Sequence, residues 1–299
     1  MSSVKISGDT SGVITLAAPA VAGTNTITLP ASTGTLALES GVSGINKIIN
    51  GDFAVNQRAV SGTVSLSSGE YGHDRFKGGS AGATYTFATS ANVTTITITA
   101  GTLQQVIEGN NLQSGTHTLS WTGTAQGKID SGAFAATGVT GTATGGTNLT
   151  VEFNTGTITA VQLEPGSIAT PFEYLLYTDQ LQLCQRYYQK YLNDSGATGE
   201  GFWGTGLQDS TTSFVGGFIF QTPMRIQPTA FETSGTATDY KVQIKGNSSV
   251  TCSSVPTVTG MTSWGARLVF TTASGLTAGE AGIYRSNTTA AYVAWSAEL

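Results

Sequence analysis

The chain has 299 residues with a net charge of −5, and only 10% of them are charged, against about 25% in an ordinary soluble domain. Without a basic cluster or an apolar run of membrane-spanning length, the composition argues against a nucleic-acid partner and against membrane insertion. The 39 glycines, and threonine at about a sixth of the chain, favour strands and tight turns over helices.

Residues 1–45 contain two short apolar runs, Val13–Leu16 and Thr26–Leu29, each leading to a proline, Pro19 or Pro30. Such thin strands cannot bury a core of their own, so the segment reads as an anchoring arm that pairs with something another chain supplies. It lacks the charged start and apolar core of a secretory signal. Cys184 and Cys252 lie far apart without metal-ligand spacing, and read as packing residues of a protein made in a reducing cytoplasm.

Residues 46–176 show the period-two alternation of half-buried strands at Thr84–Phe87, Val93–Thr99, His117–Trp121, Leu149–Phe153 and Ile158–Glu164. Short strands separated by Gly, Asn and Ser predict an antiparallel sandwich of the jelly-roll kind. Residues 177–195 predict one connecting helix, capped by Thr178, with Asp179 near its positive end. Its apolar stripe is Tyr177, Leu181, Cys184, Tyr188 and Tyr191, at spacings of four and three. Residues 196–299 return to β signal at Phe214–Phe220, Tyr240–Ile244, Ala266–Phe270 and Ala291–Trp295, predicting a second β-sandwich as a distal knob. The fold class is therefore mainly β: arm, sandwich, short helix, sandwich.

No metalloprotease, nucleophile-elbow or Walker motif is present. Of the two histidines, His73 reads as a loop-fixing hydrogen-bond partner and His117, heading a strand, as a surface or edge residue. Glu164 and Glu173 flank Pro165-Gly166 and read as anchors of that turn more readily than as a glycosidase pair. The GxGxxG match at Gly199–Gly204 follows a polar linker and has no βαβ context, so it carries no dinucleotide reading. No cofactor is expected. Asp52 is the one candidate ligand for a structural calcium ion.

The stretch QLEPGSIATPFEY followed by LCQRYYQKY resembles a junction in bacteriophage tail-fibre and receptor-binding proteins. Asn50-Gly51-Asp52-Phe53, Gln57-Arg58 and His73-Asp74-Arg75-Phe76 resemble that family's opening signature, which is similar to carbohydrate-binding jelly rolls. Pro223-Met224-Arg225, Pro228-Thr229 and Ala297-Glu298-Leu299 resemble its distal knobs. The resemblance implies a non-enzymatic virion component. It would be an intertwined homotrimer, joined through residues 1–45 to other tail or adaptor proteins and binding a host-surface glycan or protein at its tip. A head fibre or capsid decoration protein, and a small polysaccharide depolymerase, remain alternatives. Where the family usually carries tryptophan, this chain has Asn56 and Phe76, which shifts the expected glycan contacts to the distal module. Sugar rings need aromatic faces and planar polar partners, and the candidates there are Phe202, Trp203, Trp264, Tyr284, Arg285 and Asn287.

Overall fold

The computed structural model describes residues 3–7, 13–17, 46–91, 93–193 and 201–299. Two compact units divide at Leu38 and Glu39. The first contains β1 (Ser3–Ser7) and β2 (Val13–Ala17), an antiparallel pair in which Ser3 faces Ala17 and Ser7 faces Val13. The expected run Thr26–Leu29 lies outside the described residues.

The second unit begins with β3 (Val64–Leu66), β4 (Lys77–Ser90) and β5 (Val93–Ile107). There follow β6 (Gly115–Thr122), β7 (Gly127–Ile129), β8 (Val139–Ala143), β9 (Leu149–Phe153) and β10 (Gly156–Pro165). All pair antiparallel in one eight-stranded sheet that curls into a half-barrel. The curl is written into β5. Thr94, Ile96 and Ile98 face the core in its first half, but Leu103, Gln105 and Ile107 do so in its second, so the alternation changes phase. The change falls at Gly101, whose φ of +67° and contact with the Gly82 carbonyl leave no room for a Cβ. The first half of β5 therefore pairs with β10 and the second with β9. Within the curl, Tyr85, Ile96, Trp121, Val151, Phe153 and Leu163 form a closed core.

Helix α1 (Tyr177–Gln185) is shorter than the sequence predicts, and Leu176, not Thr178, precedes its first turn without a side-chain cap. Tyr188 and Tyr191, placed by their spacing on the helix, lie instead on β11 (Tyr188–Leu192). This strand pairs along its whole length with β20 (Tyr292–Ser296), which also pairs with β14 (Ala230–Thr233). Burial decides between the two periods. As a strand, YQKYL gains main-chain bonds to β20, whereas the last turns of so short a helix would find few.

The remaining strands are β12 (Phe202–Gln208), β13 (Ser213–Ile219), β15 (Tyr240–Gln243), β16 (Ser249–Thr251), β17 (Thr257–Met261), β18 (Gly265–Thr271) and β19 (Ala281–Ser286). They form a seven-stranded antiparallel sheet ordered β16-β15-β19-β12-β13-β18-β17. A second core of Phe214, Phe218, Leu268, Phe270, Tyr284 and Trp295 lies between this sheet and the three-stranded one, and the chain as a whole is mainly β and antiparallel, consistent with a β-sandwich. Among the described residues no helix is long and apolar enough to cross a membrane.

Candidate functional site

The residues that look most like chemistry in the sequence converge on the joint between the two cores. Asn50 is fully buried with φ +63°. Its side chain donates to the Val55 and Asp74 carbonyls and accepts the Val55 N–H, which templates the turn that follows. Both Asp74 oxygens accept from Gln57, and Gln57 also donates to the Tyr188 carbonyl at 2.8 Å. Burial raises the Asp74 carboxyl pKa above its usual value, with Arg58 opposing.

Arg75 is buried beneath this turn. It pairs with Glu298, donates to the Val106 carbonyl at 2.7 Å and lies 3.6 Å over the Tyr187 ring. Burial opposes its charge, but Glu298 outweighs burial together with the nearby tyrosines, and its pKa is raised. Glu298 also pairs with Arg58 at 3.3 Å, and Arg58 in turn covers Tyr188 at 3.7 Å. Glu108 receives Arg186 through both oxygens at 3.1 Å and the Tyr187 hydroxyl at 2.8 Å. Signature, seam and the Ala-Glu-Leu run thus form one polar weld whose charges neutralise one another.

The other acidic and imidazole groups are also engaged. Glu164 accepts the Thr170 N–H and hydroxyl and so holds the segment after the proline turn, whereas Glu173 accepts the Asn46 N–H and ties that segment to the start of the module. His73 is fixed by Tyr85, as a loop-holding histidine should be. His117 departs from expectation. It is 1% exposed, because β6 lies between β8 and β10 and is not an edge strand. Asp52 accepts only the Ala54 N–H at 3.3 Å, and among the described residues no group of three or more His, Cys, Asp or Glu side chains could hold a metal ion.

The distal module presents a surface of a different character. On the outward face of β12, β13 and β18, Leu207 faces Val215 and Val215 faces Val269, while Gly217 faces Arg267 and Ile219 faces Gly265. Ile219 is 84% exposed, and Trp264, in the bend before Gly265, is 68% exposed. Phe202, at the start of β12, is 66% exposed. Phe202 and Ile219 line a groove of about 400 Å³ together with Trp203, Thr205, Gly217 and Gln221 and the core residues Tyr191 and Phe218. A Cβ on Gly217 would meet nothing within 4 Å. The floor is bare backbone on a paired strand, flat enough to admit a ring.

The candidates from sequence divide on this surface. Phe202 is exposed and lines the groove with Trp203, though Trp203 lies on β12 and not on a loop and packs against the second core, while Trp264 is exposed outside the lining. Arg285 is the register partner of Phe202 and donates to Gln243. Tyr284 is not available to a ligand. It is fully buried on β19, stacked 5.0 Å from Phe270, and its hydroxyl donates to the Gly217 carbonyl at 2.6 Å. Asn287 holds a turn by donating to the Thr238 carbonyl. Sequence reading missed Ile219, Leu207 and Gly217, although Phe-Val-Gly-Gly-Phe-Ile-Phe shows the alternation; which face looked outward depended on pairing with β18. Comparison with protein-family models, curated proteins and solved structures gave no match.

Proposed function

We propose that this chain is a non-catalytic attachment protein of the phage tail-fibre type, binding a host-surface glycan through the outward face of its distal sheet. The observation that carries the reading is the groove lined by Gly217 and the exposed Phe202 and Ile219, with exposed Trp264 next to Gly265, the register partner of Ile219. Aromatic faces bind the C–H side of sugar rings, and flat backbone beside them gives hydroxyls somewhere to lie. Consistent with it, the carboxylates and guanidinium groups of the weld are spent on each other, and none opens onto this groove. Residues 1–45 attach the protein to the particle in this reading. Self-association as a trimer has a surface in the exposed Ile168, Tyr174 and Leu176.

The test is adsorption to bacterial cells and to a glycan array. Trp264→Ala and Phe202→Ala should each lower binding at unchanged melting temperature, because exposed side chains contribute little to stability. Trp121→Ala and Trp295→Ala, which empty the two cores, should destabilise instead. Full adsorption by both exposed-site variants would refute the placement.

A further inference from the structure

The first module carries a larger cleft of about 490 Å³, remote in sequence from the distal groove and outside the weld. Four segments wall it: the turn after Asn50, the turn at His73, the paired ends of β4 and β5, and the approach to α1. Their contributions are chemically distinct. Phe53, Phe87 and Tyr177 supply aromatic surface, Asp52 a carboxylate and His73 an imidazole. The volume suits a single small ligand.

Asp52 is the only charged side chain in that lining, and it forms no ion pair with any described residue. It is positioned by a strained turn: Asn50 and the bulky Phe53 on either side hold φ values of +63° and +55°. Left-handed backbone at a phenylalanine is unfavourable and persists only where its surroundings impose it. Asn50, clamped by its own three side-chain bonds, is what imposes it.

His73 adds an imidazole held in place by Tyr85. The Tyr85 hydroxyl accepts the His73 main-chain N–H at 3.1 Å and lies 3.0 Å from Nδ1. The tautomer in which that hydroxyl donates to Nδ1 carries its hydrogen on Nε2. Phe87 packs edge-on against the ring at 4.5 Å and Phe53 at 6.2 Å, and burial lowers the imidazole pKa from 6.5 to about 4. The ring is thus neutral under ordinary conditions and adds no positive charge to offset Asp52.

A cleft with aromatic walls, one unpaired carboxylate and one neutral N–H donor selects for a ligand with a matching pattern: an apolar ring face, a cation and a nearby hydroxyl oxygen. We infer that this cleft is a second binding site, specific for a hexosamine with a free amino group. The sugar ring packs on Tyr177 and Phe87, the ammonium meets Asp52, and a ring hydroxyl accepts from His73 Nε2. A simple neutral sugar offers Asp52 hydroxyl donors but no opposite charge, and a tetramethylammonium ion leaves the His73 donor unmatched.

The experiment is calorimetric titration of the full chain with glucosamine, N-acetylglucosamine, glucose and tetramethylammonium, at a pH where the free amine is protonated. Glucosamine should bind, and the other three should bind at least about tenfold more weakly, as expected for loss of a desolvated charge pair or a buried hydrogen bond. Asp52→Asn should abolish the preference for glucosamine over N-acetylglucosamine. The melting temperature should not change, since Asp52 accepts only one long hydrogen bond. Tyr177→Ala, at a 56% exposed position, should weaken glucosamine binding without unfolding the chain. Trp264→Ala should leave it unaffected, which separates this site from the distal groove. No heat with glucosamine, equal affinity for any of the other three probes, or an unchanged preference in Asp52→Asn would overturn the assignment.

Discussion

Replacing Glu298 by alanine should be among the most damaging single changes in the chain, although Glu298 belongs to neither core. Its carboxylate, 5% exposed, neutralises Arg75 at 1% exposure and Arg58 at 13%. Without it, Arg75 keeps only the Val106 carbonyl and the face of Tyr187. Leaving a buried charge uncompensated costs about 3–5 kcal/mol. Arg58, nearer the surface, can relax toward water and adds less than about 1 kcal/mol. For a unit of this size the sum corresponds to a fall in Tm of about 10 °C. The double variant Arg75→Met, Glu298→Met leaves only the more exposed Arg58 without its partner and should be less destabilised than Glu298→Ala. It also removes a group that is imperfectly satisfied, since Arg75 Nε has no hydrogen-bond partner among the described residues. Urea denaturation followed by tryptophan fluorescence reads both changes, because Trp121 reports on the first core and Trp295 on the second. A loss below about 1 kcal/mol for Glu298→Ala, or a double variant weaker than the single one, would show that the weld does not hold the modules together.

Three further outcomes are expected. His73 titrates at about pH 4 in the folded chain against 6.5 when free, so between these values the unfolded chain binds more protons and stability falls as pH drops. The contribution lost is at most about 3 kcal/mol, and an imidazole NMR titration giving an ordinary pKa would contradict it. Gly51→Ala places a Cβ 2.1 Å from the Val161 carbonyl oxygen, main chain that is itself bonded to Gly51. It should cost about 3 kcal/mol or more, measured by denaturation. Neither cysteine should react with a thiol reagent in the native protein, and both should after unfolding: burial raises the Cys184 thiol well above its usual range and Cys252 to about 12.

The strands were legible where the sequence states both period and side. In Val-Thr-Thr-Ile-Thr-Ile-Thr, isoleucine and threonine alternate so strictly that the core face follows directly. The helix was only half legible. Tyr188-Gln-Lys-Tyr-Leu fits a helical stripe through its two tyrosines. What makes it a strand is β20, about a hundred residues further on, and no local pattern carries that partner. His117 failed for the same reason: its place at the head of a strand suggests an edge, and only the sheet order reveals neighbours on both sides. At the distal site the exposed aromatics Phe202 and Trp264 were readable from their glycine-rich surroundings. Tyr284 was not, because Gly204 and Gly216 are glycines precisely so that its ring can lie against the sheet; added Cβ atoms would stand 2.4 and 2.3 Å from it.

The weld also bears on how a motif should be weighed as a sign of function. Asn50, Gln57, Arg58, Asp74, Arg75, Arg186 and Glu298 are the residue types from which active sites are made, and they converge in space. Yet most polar groups there are answered by another group of the same chain, Arg58 Nη1 and Arg75 Nε being the exceptions among the described residues. Asp74 is bonded twice by Gln57, Arg75 is matched by Glu298, and Arg186 by Glu108. A site that acts on a ligand must leave some capacity unspent, as Asp52 does in the first module and the bare Gly217 floor does in the second. The signature is therefore a marker of architecture: it fixes how two β-modules join. In the proposed reading, ligand choice falls to the positions beside it, which can change without loosening the joint. Exchanging Asp52, Tyr177, Phe202 or Trp264 should alter what the protein binds and leave its fold intact, whereas exchanging a weld residue should do the reverse.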